Sequence, residues 1–504
     1  MAITFTPPAT PPAAAQHHAA AAAGNAAVTQ QAIDALMATL SGSTEYERIL
    51  LKAAAGAGKS HALQRMVETA LTHGSCTRVG ITAFANKQLF PLARQLGATL
   101  GRDRVCLHVS ADHAGQIDDA LAAAATVVHS YHDVPPETAV IISTTHMFEG
   151  TQKYHLNRIG PAANGERLFD VLLIDEAWQL PLHRYRKVEQ LASVVVGVGD
   201  VGQLPPLDPG QNPWRGDRGY NPYRAWPTAY PDSPTTWAGE LPAVWRPTAE
   251  QRDLWHAFYA DWERLDCVAA PGDRRTQLGA LIGDAADVWQ QVATGVPTLV
   301  EVAGLDEPEA PDIDPPLLAV VEEWLDQLLA AGFALHHTRY DSAGNPTGVD
   351  VSDGRTAGSD VRIAILATRN QAVDDAQAMA ERLTDRHQLP EGVIVASTVD
   401  SWQGQTNAIT VAIHPLSGAS ELDDFNSAFG RLAVTCTRAT HGLLLVSRAG
   451  LDELLSAAPA RPGTPLGEPG TRQLPRQTHG RIVAAFARTV SLNDDLGARH
   501  GVAQ

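Results

Sequence analysis

Four cysteines in 504 residues, Cys76, Cys106, Cys267 and Cys436, stand far apart and form no CxxC pair. That scarcity excludes a disulfide-stapled fold and argues against a thiolate zinc module. His129 and His132 in "HSYH" come nearest to paired ligands, but no second pair at metal spacing accompanies them. They read as loop residues, not as a metal site. No apolar run approaches the roughly 20 residues needed to cross a bilayer. The first residues lack the basic-then-apolar layout of a secretory signal, so no membrane association and a cytoplasmic home are expected. Positive charge is short as well. With 38 Lys and Arg against 56 Asp and Glu, the net charge of −18 opposes duplex binding by bulk attraction, while leaving room for a local basic groove.

Large apolar residues are almost missing from the opening "MAITFTPPATPPAAAQHHAAAAAG", so residues 1–27 are expected to be a disordered tail, with protein partners as its possible use. A second Pro/Gly-rich stretch, "APARPGTPLGEPGTRQLP" from Ala458, precedes a short helical pattern, "RIVAAFARTV". Between them lie "TRVGITAF", "TAVIIST", "DVLLIDEA" and "SVVVGVGD", then "RIAILAT", "VIVAST", "AITVAIH" and "GLLLVS". Continuous β-branched apolarity suits strands buried on both faces, as in parallel sheets covered by helices. The expected fold is α/β, with lobes at 28–240 and 241–455, an insertion near 270–360, and a linker plus C-terminal helix over 456–504.

A phosphate-binding loop reads GxxxxGK[ST]; here "AAAGAGKS" puts Ala53 at the first glycine. Gly56, Ala57 and Gly58 let the backbone curl round phosphates, Lys59 supplies a cation, and the Ser60 hydroxyl is a magnesium ligand. "ERILLKA" supplies the preceding strand and "HALQRMV" the following helix, whose N-terminal end also favours anions. "FDVLLIDEAWQLP" ends a buried strand in Asp175-Glu176, placing two carboxylates at the sheet edge where such folds bind ligands. Asp175 suits magnesium, and Glu176 suits orienting or deprotonating a water. In "VVVGVGDVGQLPPL", the Gln203 carboxamide can sit beside a γ-phosphate.

The order of these motifs resembles a superfamily 1 helicase, in the branch with a DEAxQ second motif that includes RNA-decay-type and RecD-type helicases. "LLIDEAWQ" resembles its second motif, "GDVGQLPPL" its third and "VGITAFANKQ" its motif Ia. "STVDSWQGQTNAITVAI" from Ser397 is similar to motif V, and "GRLAVTCTRATHGLLLV" from Gly430 to motif VI. "LPAVWRPTAE" from Leu241 resembles a short arginine-bearing motif. The resemblance covers roughly residues 28–450 and implies two RecA-like P-loop lobes sharing ATP and Mg2+ in a cleft. It also implies that Arg246 and Arg438 reach the γ-phosphate from the second lobe. Gln403 and Gly404 would contact phosphate and nucleic acid, and Gln30 or Gln31 would recognise adenine. Thr406 and Ala433 depart from the pattern, standing where that branch usually has Glu and Asn.

Single-stranded DNA or RNA is the expected partner. Asn86, Lys87, Ser143, Thr144 and Thr145 in the first lobe, and Thr368, Arg369 and Gln371 in the second, are candidates to hold its phosphates. "NPWRGDRGYNPYRAWPTAYPDSPTTW", Asn212 to Trp237, either stacks unpaired bases or packs its aromatics inward. The expected function is an ATP-dependent helicase or translocase. The alternative is a nucleotide-gated ATPase switch that does not unwind; a kinase would leave the second lobe's arginines without a task.

Overall fold

A computed structural model of the chain describes residues 3–10, 12–163, 165–204, 206, 221–310, 313–368, 370–423, 426, 428–458 and 475–492. They fall into two units: a first from Gly24–Pro242, and a second from Met1–Ala23, Ala243–Gly463 and Gln473–Gln504. No helix among the described residues is long and apolar enough to cross a membrane.

The first unit is built on β1 (Arg48–Ala53), β2 (Val79–Ala83), β3 (Val105–His108), β4 (Thr126–Val128), β5 (Val140–Thr144), β6 (Phe169–Asp175), β7 (Ala192–Gly199) and β8 (Thr236–Leu241). They form one sheet in the order β4-β3-β5-β2-β6-β7-β1-β8, and every pair is parallel. Parallel pairing puts all the C-terminal strand ends on one edge. The four apolar runs read from this half of the sequence are β2, β5, β6 and β7, buried as continuous apolarity requires. The roughly 80 residues between motif Ia and the DEAW strand supply β3, β4 and β5, so that spacing is taken up by the sheet itself.

In the second unit β9 (Ala243–Val244) pairs with β10 (Asp266–Cys267), and β11 (Arg274–Leu278), β13 (Phe333–Tyr340) and β14 (Pro346–Asp353) form a small antiparallel sheet. The main sheet uses β12 (Thr298–Ala303), β15 (Val361–Ala367), β16 (Ile394–Thr398), β17 (Asn407–Ile413), β18 (Ala439–Arg448) and β19 (Ala487–Leu492). Its order is β16-β15-β17-β18-β12-β19, again parallel throughout. The expected insertion near 270–360 is therefore only partly one. β12 lies inside the main sheet, and the helices Gly283–Ala293 and Pro315–Ala331 bury Trp289 and Trp324 in the same core.

One expectation at the termini is overturned and another is met only in part. The opening residues are not a disordered tail. Thr6 makes a reciprocal antiparallel bridge with Arg488 of β19 (2.7 and 2.9 Å), and Ile3 and Phe5 pack on the core of the second unit. The alanine run then forms the helix His18–Leu40, with Ala21, Ala22, Ala32 and Ala35 buried. Composition misled because it counted only large apolar side chains. Alanine is the strongest helix former, and its methyl groups fill close-packed contacts. At the other end the helix stops at Val483, and "ARTVSL" extends as β19 because it completes the edge beside β12.

Four buried histidines are held neutral. Burial pushes His108 and His155 in the first unit down to about 4, with His129 acting on His108, and with His108 and Arg78 acting on His155. Burial likewise takes His414 and His441 in the second unit down to about 3. The unfolded chain takes up protons near pH 6.5 whereas the folded chain does not, so stability falls as pH drops from there toward 4. The expected loss is on the order of 2 kcal/mol per group between pH 6.5 and 5, read from urea midpoints across that range. A flat profile contradicts it. Deleting residues 1–10 is expected to lower the melting temperature by about 5 °C, through loss of the β19 bridge and of the Ile3 and Phe5 contacts. An unchanged melt would restore the tail.

Candidate nucleotide site

The loop after β1 turns on two glycines. Gly56 has φ 64° and Gly58 φ 97°, the left-handed region that side chains resist. Ala53, at the position where the usual motif has glycine, needs no such freedom. It is a regular, fully buried strand residue level with Leu241 of β8. The helix Lys59–Ala70 follows directly, burying Ala62, Leu63, Met66, Val67 and Ala70 along one stripe.

Register sets what faces the loop. Leu51 of β1 is level with Val198 of β7, and Val198 with Asp175 of β6. A one-residue slip would turn these side chains to the opposite face. Lys59 Nζ lies 2.5 Å from Glu176 Oε1, both largely buried. Burial opposes the lysine's charge, but Glu176, Asp200 and Asp175 outweigh it and raise its pKa. Asp175 is pushed up to about 7 by burial and by Glu176 beside it, against the pull of Lys59. Glu176 sits at φ 52°, ψ 45°, a left-handed geometry that costs a non-glycine residue about 1–3 kcal/mol. The turn is clamped from both sides. The Glu176 N–H donates to Asp175 Oδ1 (2.9 Å), and a Cβ at Gly199 would lie 2.8 Å from the Ala177 nitrogen and from the Trp178 ring. Asp200, closing β7, is buried and accepts from the Gly202 N–H at 2.9 Å, with Gln203 also buried just beyond.

Three carboxylates thus face one ammonium, which leaves negative charge for a cation to neutralise. Asp175 and the exposed Ser60 hydroxyl are hard oxygen donors suited to magnesium. No cluster of three His, Cys, Asp or Glu among the described residues has metal-holding geometry, so phosphate and water would complete such an ion's shell. Gln30 is exposed; its amide donates to Asp34 Oδ1 at 2.8 Å and its oxygen accepts from Arg65 at 3.3 Å. A residue of that helix that does touch the loop is the buried Asn25, whose Nδ2 donates to the Ala57 carbonyl at 2.8 Å. Sequence reasoning missed it by placing it in the tail.

Farther along the same sheet edge, Asn86, Lys87 and Thr144 line a pocket of about 420 Å³. Ser143 and Thr145 do not join them. Both are buried, Ser143 donating to the His108 carbonyl (2.8 Å) and Thr145 pairing with Thr82 (3.1 Å), so neither is available to a strand's phosphates. Part of the Arg/Trp stretch, residues 212–220, lies outside the described residues. In the remainder Trp226 is fully buried and stacked on Tyr185 at 4.0 Å, so this aromatic packs inward.

In the second unit Arg246 and Arg438 meet at one residue. Arg246 donates to the Thr437 carbonyl and Arg438 to the Thr437 hydroxyl, each at 3.0 Å. Arg438 also donates to the carbonyls of Val434 (3.0 Å) and Gln405 (3.5 Å), tying the loop of Gln403 and Gly404 to the helix Phe429–Cys436. Gly404 has φ 86°, and the buried Gln403 Nε2 has no hydrogen-bond partner among the described residues. At Ala433 the helix is wholly buried, and an amide there would need a partner that alanine does not. Thr368 is half-buried just beyond β15; Arg369 and the side chain of Gln371 lie outside the described residues.

No family model matches the chain. No curated protein matches it. Among solved structures, the helicase of PRRSV is 13% identical at a TM-score of 0.37, over 92% of this chain and 68% of that one. Arterivirus nonstructural protein 10 (helicase) with DNA is 13% identical at 0.38, over 81% and 62%. The DUF1998 helicase MrfA bound to DNA is 10% identical at 0.43, over 98% and 53%. The chain therefore spans between about half and two thirds of the length of these neighbours.

Asn25→Ala is expected to loosen the loop and lower the affinity of this candidate site for a nucleotide about tenfold, because it removes the amide that pairs the Ala57 carbonyl. Titration with a fluorescent ATP analogue measures this, and unchanged affinity would remove Asn25 from the site.

Proposed function

We propose that the chain is a nucleic-acid-dependent ATPase that works as a helicase or translocase. The observation that carries this reading is the buried Lys59 among Glu176, Asp175 and Asp200, directly after a two-glycine loop at the edge of a parallel sheet. In this reading the N–H groups from Gly56 to Ser60 cradle the phosphates of ATP. Lys59 exchanges Glu176 for the β- and γ-phosphates, which frees the Glu176 carboxylate to orient or deprotonate the attacking water. Ser60 and Asp175 would hold Mg2+, which when bound would supply Lewis acidity at the phosphates. Gln203 senses the γ-phosphate. Arg246 and Arg438 supply cations as charge develops on it, and Thr437 sets their spacing.

Asn86, Lys87 and Thr144 on the first unit, and Thr368 and Gln403 on the second, hold a single strand of DNA or RNA. Grip that alternates with nucleotide state turns hydrolysis into steps along it. Adenine recognition by Gln30 requires its amide to leave Asp34 and Arg65.

ATP turnover with and without single-stranded DNA or RNA tests the reading. A severalfold rise is expected with nucleic acid; turnover indifferent to both would instead mark a nucleotide-gated switch. Lys59→Ala is expected to abolish turnover, and Arg438→Ala to lower kcat about 10³-fold or more. A Lys59→Ala variant with full activity would sink the site.

A further inference from the structure

The 420 Å³ pocket of the first unit has a wall that none of the helicase-like motifs accounts for. Two sides come from the residues after β2 (Phe84 to Lys87) and after β5 (Thr144, His146 and Met147). The third is the short 3-10 helix Ala111–Gln116 that follows β3, contributing His113 and Gln116 together with the N-cap residue Ser110. Because β3, β5 and β2 are consecutive in the sheet, all three sides rise from neighbouring strand ends.

The chemistry of this lining fits an unpaired base better than a phosphate group. Among the described residues Lys87 is the only lysine or arginine lining the pocket, too little cationic charge to hold a polyphosphate. Phe84, 48% exposed, and Met147 both line the pocket; an aromatic face and a polarisable thioether suit a nucleobase ring. The third wall carries donors and acceptors together. Ser110 Oγ lies 3.0 Å from His113 Nδ1, which fixes the ring and leaves Nε2 as its remaining polar atom. The exposed Gln116 carboxamide makes no hydrogen bond among the described residues. A free carboxamide presents one donor and one acceptor side by side, the pair that matches adenine N7 and N6.

We infer that this pocket takes one unpaired base of the bound strand and selects adenine through Gln116, with His113 as a second reader. The inference rests on the proposed nucleic-acid binding and adds sequence preference to it. Phosphate contacts alone carry no sequence information, so a preference must come from base-edge groups such as these.

The test is ATP turnover titrated with single-stranded dA, dT and dC homopolymers of equal length, for the full chain and for Gln116→Leu. The half-saturating concentration is expected to be about tenfold lower for the dA strand than for the others, as one bidentate base contact allows. In Gln116→Leu that ratio is expected to fall within about twofold. Because each ratio is taken within one protein, a loss of folded material does not imitate the result. Equal response to all three strands overturns the inference while leaving the proposed function standing. A dA preference that survives Gln116→Leu also overturns it. No response to any strand, DNA or RNA, brings down the proposed function and the inference with it.

Discussion

A single buried ammonium facing three carboxylates is the constraint around which the first unit is arranged. Isolated charges at the depth of Lys59, Asp175 and Asp200 would each cost several kcal/mol, and they persist because they lie together. Bringing them together requires β1, β7 and β6 to be neighbours, parallel and in register, so that three separate loops open at one place. It requires glycine at 197 and 199 as well, since a Cβ there would lie 2.6 Å from the Trp226 ring and 2.8 Å from the turn after Asp175. The left-handed backbone at Glu176 is maintained by the same clamp, and strain held by its surroundings is a common mark of functional turns.

In the second unit two arginines meet at one residue, Thr437. Arg438 is almost fully buried, and its guanidinium donates to the Val434 and Gln405 carbonyls and to the Thr437 hydroxyl. Thr437 serves both arginines at once, through its carbonyl and its hydroxyl, and its own hydroxyl group lies 2.7 Å from the Ala433 carbonyl. Around this centre the sheet is finished by segments from both ends of the chain. β19 lies beside β12 and Thr6 lies beside β19, so an edge that would otherwise present unpaired N–H and C=O groups is partly covered.

The buried strands were legible because continuous β-branched runs such as "VLLID" and "LLLV" leave little choice but a doubly covered sheet. The loop's backbone course was legible because positive φ is needed at Gly56 and Gly58 and nowhere else in that turn, which is why Ala53 fits there. The edges were harder. "ARTVSL" carries too few large apolar residues to declare a strand, and only the vacancy beside β12 makes it one. Ser143 and Thr145 read as surface hydroxyls from their loop-like neighbourhood, yet hydrogen bonds to His108 and Thr82 draw them inside. The Ala-rich opening misled for the opposite reason, its small side chains being suited to close packing rather than to solvent.

What the amino-acid order determined alone was local: where the chain extends, where it curls around glycine, and which charged groups close each strand. Those features depend on a few adjacent residues and their backbone preferences. Only the tertiary structure decided which closing groups share a site, that Asn25 braces the loop at Ala57, that Thr437 joins two arginines, and that Gln116 stands beside Phe84 and Lys87. Such meetings are set by crossover connections and register between strands distant in sequence, information that no short window of residues contains.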